Sequence, residues 1–577
     1  MKACLLSGCA LNESDHSPVD DTKVESYIQA TLSSSTFSLS GQDFIKKKLS
    51  TCLEHHELCK GAGPGAANFI PTRLIDTEPG GIIPETTVRL VERIDGKDTQ
   101  YAALSHCWGR AQLLRLTSDT QDMLLNGIQT SSLPTTFQHA VTVVRRLGIR
   151  YLWIDSLCII QDSVRDWEVE SSLMTDVYGH ATVNIAASSS SDSRGGMVFN
   201  RDPSIVQPFA AYSPGGDNLV PGWYVWADDN RWRRIGDQPL NQRGWVLQER
   251  LLSTRTIHFT KSEIFWQCLE DLSSESVPNQ VEDGRFSMPV TQIGDYTDLK
   301  LAVAEAQVHG LTVGRREKIF SYWWKLLAQY SVCRLTMDSD KLVAISGIVN
   351  YLEKLTGDEC LAGLWRSEMP SCLLWSIDWG SQDDAPIRKS SIKDMETLRP
   401  RPENWRAPSW SWASHNLPIQ FGFHGNEPLY YADIIEATVV RTPNGSVVSS
   451  RLVLECPVLT TNIDIPEEAE EGSIISGWNN GTFLSIGEGL VTEMYIETDV
   501  TIRCLPQVLY AGLILEGASS FFFILLIPSS HLDGHEITFQ RIGTLEVREE
   551  SLQLEDVVNE AESDVNWEEH MRCFEIV

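Results

Sequence analysis

The stretch from Tyr101 to Ala187 limits the choice of fold more than any other part of the chain. Tyr101-Ala-Ala-Leu104 predicts a short buried strand that runs into Ser105-His106-Cys107-Trp108-Gly109. Leu133-Pro134 opens a helix in which Phe137, Ala140, Val141, Val144 and Leu147 recur at helical spacing, and Gly148 stops it. Tyr151-Leu-Trp-Ile154 reads as a second buried strand, closed by Asp155. Asp166 to Tyr178 predicts another helix, with Trp167, Leu173, Met174 and Val177 on its apolar face and Asp166 as its N-cap. Ala181 to Ala187 predicts a third strand, followed by Ser188. Strand, helix, strand, helix, strand with short connections makes a parallel sheet with helices on its faces. Ligands of such sheets sit beyond the carboxyl ends of the strands. Ser105, Asp155 and Ser188 are therefore the first candidates for a site.

The rest of the chain divides by composition. Residues 1–97 form a lead segment with an irregular start, a helix over 41–60, a Gly/Ala/Pro linker and a strand from Pro71 to Asp76. Residues 98–270 form the α/β domain. They include a Pro-, Gly- and Trp-rich excursion at 196–240, a helix at Arg243–Glu249, and strands at Thr256–Phe259 and Ile264–Cys268. Residues 271–400 read as mainly helical, and residues 401–577 as β-rich, with an acidic turn at Glu467–Glu471. Val508–Ile527 is apolar, but it carries Glu516 and two glycines and fits two strands better than a spanning helix. Asn444-Gly and Asn480-Gly read as turns between strands. Trp410 and Trp412 suggest a strand with both rings on one side.

A net charge of −31 argues against a nucleic-acid binder and against docking on anionic lipid. A local basic pocket around Arg145, Arg146 and Arg150 stays open. The 13 cysteines are spread thinly, as reduced thiols in a cytoplasmic protein are. Leu6-Ser7-Gly8-Cys9 looks like a lipoprotein cleavage site, but the apolar run before it is too short for a signal.

Several motifs together resemble one family. Tyr101-Ala-Ala-Leu-Ser-His-Cys-Trp-Gly109, Leu133-Pro-Thr-Thr-Phe-Gln-His-Ala140 and Leu147-Gly-Ile-Arg-Tyr-Leu-Trp-Ile-Asp-Ser-Leu-Cys-Ile-Ile-Gln-Asp162 are similar to successive motifs of fungal heterokaryon-incompatibility (HET) domains. Asp166, Trp167, Glu170, Met174 and Tyr178 follow at the family's spacing, and Arg243-Gly-Trp-Val-Leu-Gln-Glu-Arg-Leu-Leu-Ser253 resembles its closing motif. Asp340–Gly347 and Arg406–Ala413 resemble segments of full-length HET proteins. His106 stands where an aromatic such as Tyr is usual, and His139 where an Asp is usual, so no role carries over to those two positions. The resemblance implies a part in non-self recognition leading to cell death. It also implies a remote kinship with TIR domains, hence a TIR-like parallel-sheet domain. The Trp245 and Glu249 pair resembles the Trp and Glu of TIR domains that cleave NAD.

Three carboxylates are candidate catalytic groups. Glu249 lies four residues after Trp245, so the two share a helix face. A carboxylate beside the ribose would stabilise the positive charge that develops when the N-glycosidic bond breaks. The alternative is an exposed Glu paired with Arg250 or Arg243. Asp155 either orients a ligand hydroxyl or caps the turn at Ser156. Glu170 is the rival carboxylate, or else a partner for Arg165 or Arg201. Ser105, His106, Trp108, Trp245 and Arg243 are grouped as substrate-binding. Cys158 with His106 or His139 would make a nucleophile only if the thiol were not buried. Cys52, His55, His56 and Cys59 share one helix face, but no second Cys pair follows at finger spacing, so no metal is assigned.

Three functions stay open. The first is a cell-death effector that cleaves NAD or a related nucleotide, with NAD as substrate and no cofactor. The second is a non-catalytic recognition module signalling through an incompatibility partner protein or a homo-oligomer. The third is a biosynthetic enzyme for a small natural product.

Overall fold

The computed structural model describes residues 32–61, 69–80, 86–92, 99–109, 114–207, 209–213, 222–226, 233–278, 295–378, 402, 404–421, 429–463, 484–485, 493–496, 508–516, 520–528, 538–548 and 571–576. Leu6–Cys9, Glu467–Glu471 and Asn480 lie outside the described residues. The chain forms two compact units. One comprises residues 1–166, 176–241 and 252–308, and the other residues 167–175, 242–251 and 309–577.

The first unit is built on a nine-stranded sheet. Its strands are β1 (Arg73–Asp76), β2 (Thr87–Glu92), β3 (Tyr101–Ser105), β4 (Ile128–Gln129), β5 (Tyr151–Ile154), β6 (Val183–Ala186), β9 (Thr256–Phe259), β10 (Ile264–Gln267) and β11 (Leu272–Ser274), with a separate ribbon of β7 (Phe209–Ser213) and β8 (Gly222–Trp226). The order across the sheet is β11-β10-β9-β6-β3-β5-β1-β2-β4. The centre, β5-β3-β6-β9, is parallel. Its strands are almost wholly buried, as in parallel sheets covered on both faces, with Asn184 and His258 as buried polar residues among the apolar ones. The flanks are antiparallel, so the sheet is mixed. The sequence pattern predicts the parallel centre and the flank strands at Pro71–Asp76 and Ile264–Cys268, but not the antiparallel pairing of the flanks.

Helices of this unit include α1 (Leu39–His55), α2 (Glu57–Gly61), α3 (Thr135–Leu147) and α4 (Asp155–Cys158); α5 (Val164–His180) belongs to it at its two ends, while its middle, 167–175, falls in the second unit. α3 buries Phe137, Ala140, Val141 and Val144, each burial contributing up to roughly 1.5–3 kcal/mol. Gly148 ends it in the left-handed region at φ 73°, where a Cβ would be strained. The N-cap of α5 is Ser163, not Asp166: the Ser163 hydroxyl accepts from the Asp166 amide at 3.2 Å. That frees the Asp166 carboxylate to receive Arg73 through two bonds of 2.6 and 3.0 Å, and the Ile160 amide at 2.8 Å. Two of the three arginines of the candidate basic pocket are engaged by the fold. Arg150 holds buried Asp76 through two bonds of 2.9 Å, and Arg145 donates to the Thr77 carbonyl at 2.9 Å.

The second unit contains α6 (Gly244–Leu252), α7 (Val313–Ser331), α8 (Val343–Thr356) and a mainly antiparallel nine-stranded sheet. Val508–Glu516 and Ser520–Pro528 are two antiparallel strands, as their interrupted apolar pattern predicts. Asn444-Gly445 turns between Asp433–Arg441 and Val447–Ile463, with Gly445 at φ 92°. Trp410 and Trp412 are fully buried but do not lie on a strand, because Trp412 begins a 3-10 turn capped by the Ser411 hydroxyl. Among the described residues no helix is long and apolar enough to cross a membrane.

Candidate functional site

The carboxyl ends of the parallel strands collect the polar groups of the first unit. β3 ends at Ser105, β5 passes directly into Asp155, and β6 leads to Ser188. Ser105 is fully buried, and its hydroxyl donates to Asn184 Oδ1 on neighbouring β6 at 3.1 Å. It therefore ties two strands together.

Asp155 is different. One carboxylate oxygen accepts from the Ser156 amide at 2.6 Å, and the other from Trp108 Nε1 at 2.7 Å. His106 Nδ1 lies 3.6 Å from the first oxygen. The His106 ring is buried and set edge-on to Phe137, with centroids 4.8 Å apart. The carboxylate keeps 24% of its side-chain surface open. Two neutral N–H donors orient it, and charge-assisted bonds of this kind hold geometry well. Such a group can accept a ligand hydroxyl or face a developing positive charge. Ser105, His106, Trp108 and Asp155 thus come together in one place. Gly109 closes the loop at φ 73°, where a Cβ would meet the Asp192 side chain at 2.2 Å.

Ser188 leads into a closed relay that the sequence pattern does not reveal. Its hydroxyl lies 3.3 Å from His258 Nδ1, and His258 Nε2 lies 3.1 Å from Gln267 Oε1. The Gln267 amide nitrogen donates to Thr297, so its oxygen faces the ring and accepts from Nε2–H. Nδ1 then accepts from Ser188. All three residues are buried, which makes the chain a core network.

His139 is likewise committed: its Nδ1 accepts from the Met197 amide at 2.9 Å, and burial lowers its pKa. Cys158 is fully buried, the setting of an inert thiol.

The remaining candidates belong to the second unit. Trp245 and Glu249 are four residues apart on α6. Trp245 Nε1 donates to Asp340 at 3.3 Å, and its ring meets Trp167 edge-on at 6.5 Å. Burial raises the pKa of Asp340. Glu249 is only 6% exposed, not the surface residue that an ordinary ion pair would need. Glu170 is also buried, and Arg201 is paired with Glu275 instead. Arg243 bridges to Arg334 through the backbone.

Residues 101–249 match the family model described as Heterokaryon incompatibility protein (HET). The match runs from the first residue of β3 to Glu249 on α6. No curated protein and no solved structure matches the chain.

Proposed function

The chain carries a HET domain at residues 101–249, which supports a role of the heterokaryon-incompatibility type, and from that premise we propose an effector that cleaves the N-glycosidic bond of NAD or a related nucleotide. The observation that carries this reading is the Asp155 carboxylate. It is partly open, held by the Ser156 amide and Trp108, and set at the carboxyl end of a parallel strand, where α/β sheets bind ligands. A carboxylate fixed in this way holds the ribose hydroxyls and stabilises an oxocarbenium-like ribosyl centre. Glu249, in the other unit, is a separate candidate carboxylate. Its support is the Trp245 spacing and the remote TIR resemblance.

The test is NAD consumption and nicotinamide release by the purified full chain at high concentration, since assembly is part of the reading. Asp155→Asn and Glu249→Gln should each lower turnover on the order of 100-fold, the usual cost of removing one preorganised electrostatic group. Absence of turnover in the wild type, with cell death intact in both variants, would overturn the enzyme reading. A non-catalytic recognition module would then stand. The commitment of Ser105, His139 and Trp245 to contacts within the fold favours that second reading.

A further inference from the structure

We propose that Cys52, His56, Cys59 and Cys268 together hold one structural zinc ion. The sulfur and nitrogen atoms of these four side chains all lie within 4.8 Å of one another. His56 Nδ1 is 3.3 Å from Cys268 Sγ and 3.9 Å from Cys59 Sγ. Bond lengths of about 2.3 Å to sulfur and 2.0–2.1 Å to nitrogen give a tetrahedral S–N edge of about 3.6 Å, between those two distances.

The local fold is shaped for this arrangement. α1 stops at His56, whose backbone turns extended at φ −85°, ψ 109°, and α2 begins at Glu57. Cys52 and Cys59 are therefore delivered from the two sides of a helix break, with His56 at the break itself. His55 is excluded: its ring is 71% exposed and its nearest carboxylate is Glu54 at 3.7 Å. The fourth group, Cys268, comes from the end of β10, more than two hundred residues later.

The turn that presents Cys268 is clamped against the same helices. Lys48 pairs with Asp271 at 2.8 Å, and the Leu58 amide donates to Glu270 Oε1 at 2.6 Å.

A second set of contacts points to bound thiolates. Arg255 Nε donates to Cys52 Sγ at 3.0 Å and the Asp271 amide to Cys268 Sγ at 3.2 Å. The Leu269 amide hydrogen-bonds to Cys59, and the Glu270 amide to Cys268. These donors stabilise negative sulfur and, as partners beyond the ligands, fix where each thiolate points. A soft ligand set of three thiolates and one imidazole, four atoms within 4.8 Å of one another, suits zinc, and four protein ligands leave no open position for catalysis. The ion would fasten α1 and α2 to the β9–β10–β11 side of the sheet.

Full-length protein purified under reducing conditions without chelator should contain about one zinc per chain by elemental analysis. His55→Ala should keep the metal, and Cys268→Ser and His56→Ala should each lose most of it. Because those two variants can fail to fold, the wild type carries its own measurement. Exchange with Co²⁺ alone should give the thiolate charge-transfer and intense visible bands of a tetrahedral site, and a mercurial thiol reagent should release zinc in step with sulfur modified. Three results would overturn the assignment. One is reduced wild-type protein that neither contains zinc nor takes up added Zn²⁺. Another is a disulfide among Cys52, Cys59 and Cys268 in protein isolated with its thiols blocked. The third is zinc retained in a folded Cys268→Ser variant.

Discussion

Replacing Arg201 by methionine removes one half of a deeply enclosed ion pair in the first unit. The two side chains are 2% and 3% exposed, and they meet through two bonds, Nη1 to Oε2 at 2.6 Å and Nη2 to Oε1 at 3.1 Å. Arg201 also donates to the carbonyls of Ser33 and Ser262, while Glu275 also accepts from the Ile264 amide at 2.8 Å. Breaking such a pair strands a buried carboxylate, which costs about 3–5 kcal/mol. For a unit of this size that is a fall in Tm on the order of 10 °C. The double variant Arg201→Met/Glu275→Gln should recover at least half of the loss, because no charge remains and the amide oxygen still serves Ile264. The pH dependence gives an independent check. Burial already raises the Glu275 pKa against the pull of Arg201. Without the guanidinium the rise is larger, so the folded state holds its proton more firmly than the unfolded chain does. The penalty is then full above the folded pKa and fades as pH falls toward the unfolded value near 4.3. Differential scanning calorimetry at pH 7 and at about pH 5 should show the gap to wild type narrowing. A loss under about 1 kcal/mol, or a double variant as unstable as the single, would refute the reasoning.

Other consequences are smaller but as direct. Tyr101→Phe removes the hydroxyl that donates to the Val177 carbonyl at 2.6 Å inside the core, and should cost about 1–3 kcal/mol in urea unfolding. Gly109→Ala forces a Cβ into the left-handed region and onto Asp192, so in urea unfolding it should cost more than the roughly 1–2 kcal/mol of backbone strain alone. Lys341 is buried in the second unit with its ammonium on the His415 carbonyl at 2.6 Å, and burial holds its pKa well below normal. A depressed amine contributes stability above its unfolded pKa and loses it as pH falls. Raising pH from about 7 to 9 should therefore raise the urea midpoint of the wild type relative to Lys341→Met.

The parallel centre was legible because apolar periodicity reports burial. Tyr101–Leu104, Phe137–Leu147 and Tyr151–Ile154 all follow the period of the element they form. In the antiparallel flanks the strands at Pro71–Asp76 and Ile264–Cys268 were legible but their pairing was not. β1 and β2 are short, and their pairing with β5 and each other depends on tertiary register rather than local pattern. Asp155 stood out because it interrupts an apolar run at a strand end, whereas the commitment of Ser105 to Asn184 needs the neighbouring strand to be seen. The Cys52–Cys59 segment drew attention by its spacing, but the sequence alone assigned it no metal. Cys268 drew none, since a lone cysteine after Phe265-Trp-Gln267 carries no spacing signal until the turn is brought against α1. Helical periodicity also placed His55 on the face of Cys52, His56 and Cys59, because it does not register the break at His56; His55 lies outside the Cys52, His56, Cys59 and Cys268 group.

The family match and the folding unit have different limits. Residues 101–249 contain β3, β5 and β6 but not β1, which pairs with β5, nor β9, which pairs with β6. A piece cut at those limits would uncover both edges of an apolar parallel core. Unpaired edges of that kind are templates for association. The cut would also take Arg73 from Asp166 and Glu275 from Arg201, leaving a carboxylate and a guanidinium without the partners that enclose them. The matched segment alone should therefore aggregate on expression, as judged by sedimentation of the lysate, while the full chain stays in the supernatant. A soluble, cooperatively folding 101–249 fragment would show instead that β3, β5 and β6 with their helices are self-sufficient, and that the flanking strands were added to a core that did not require them.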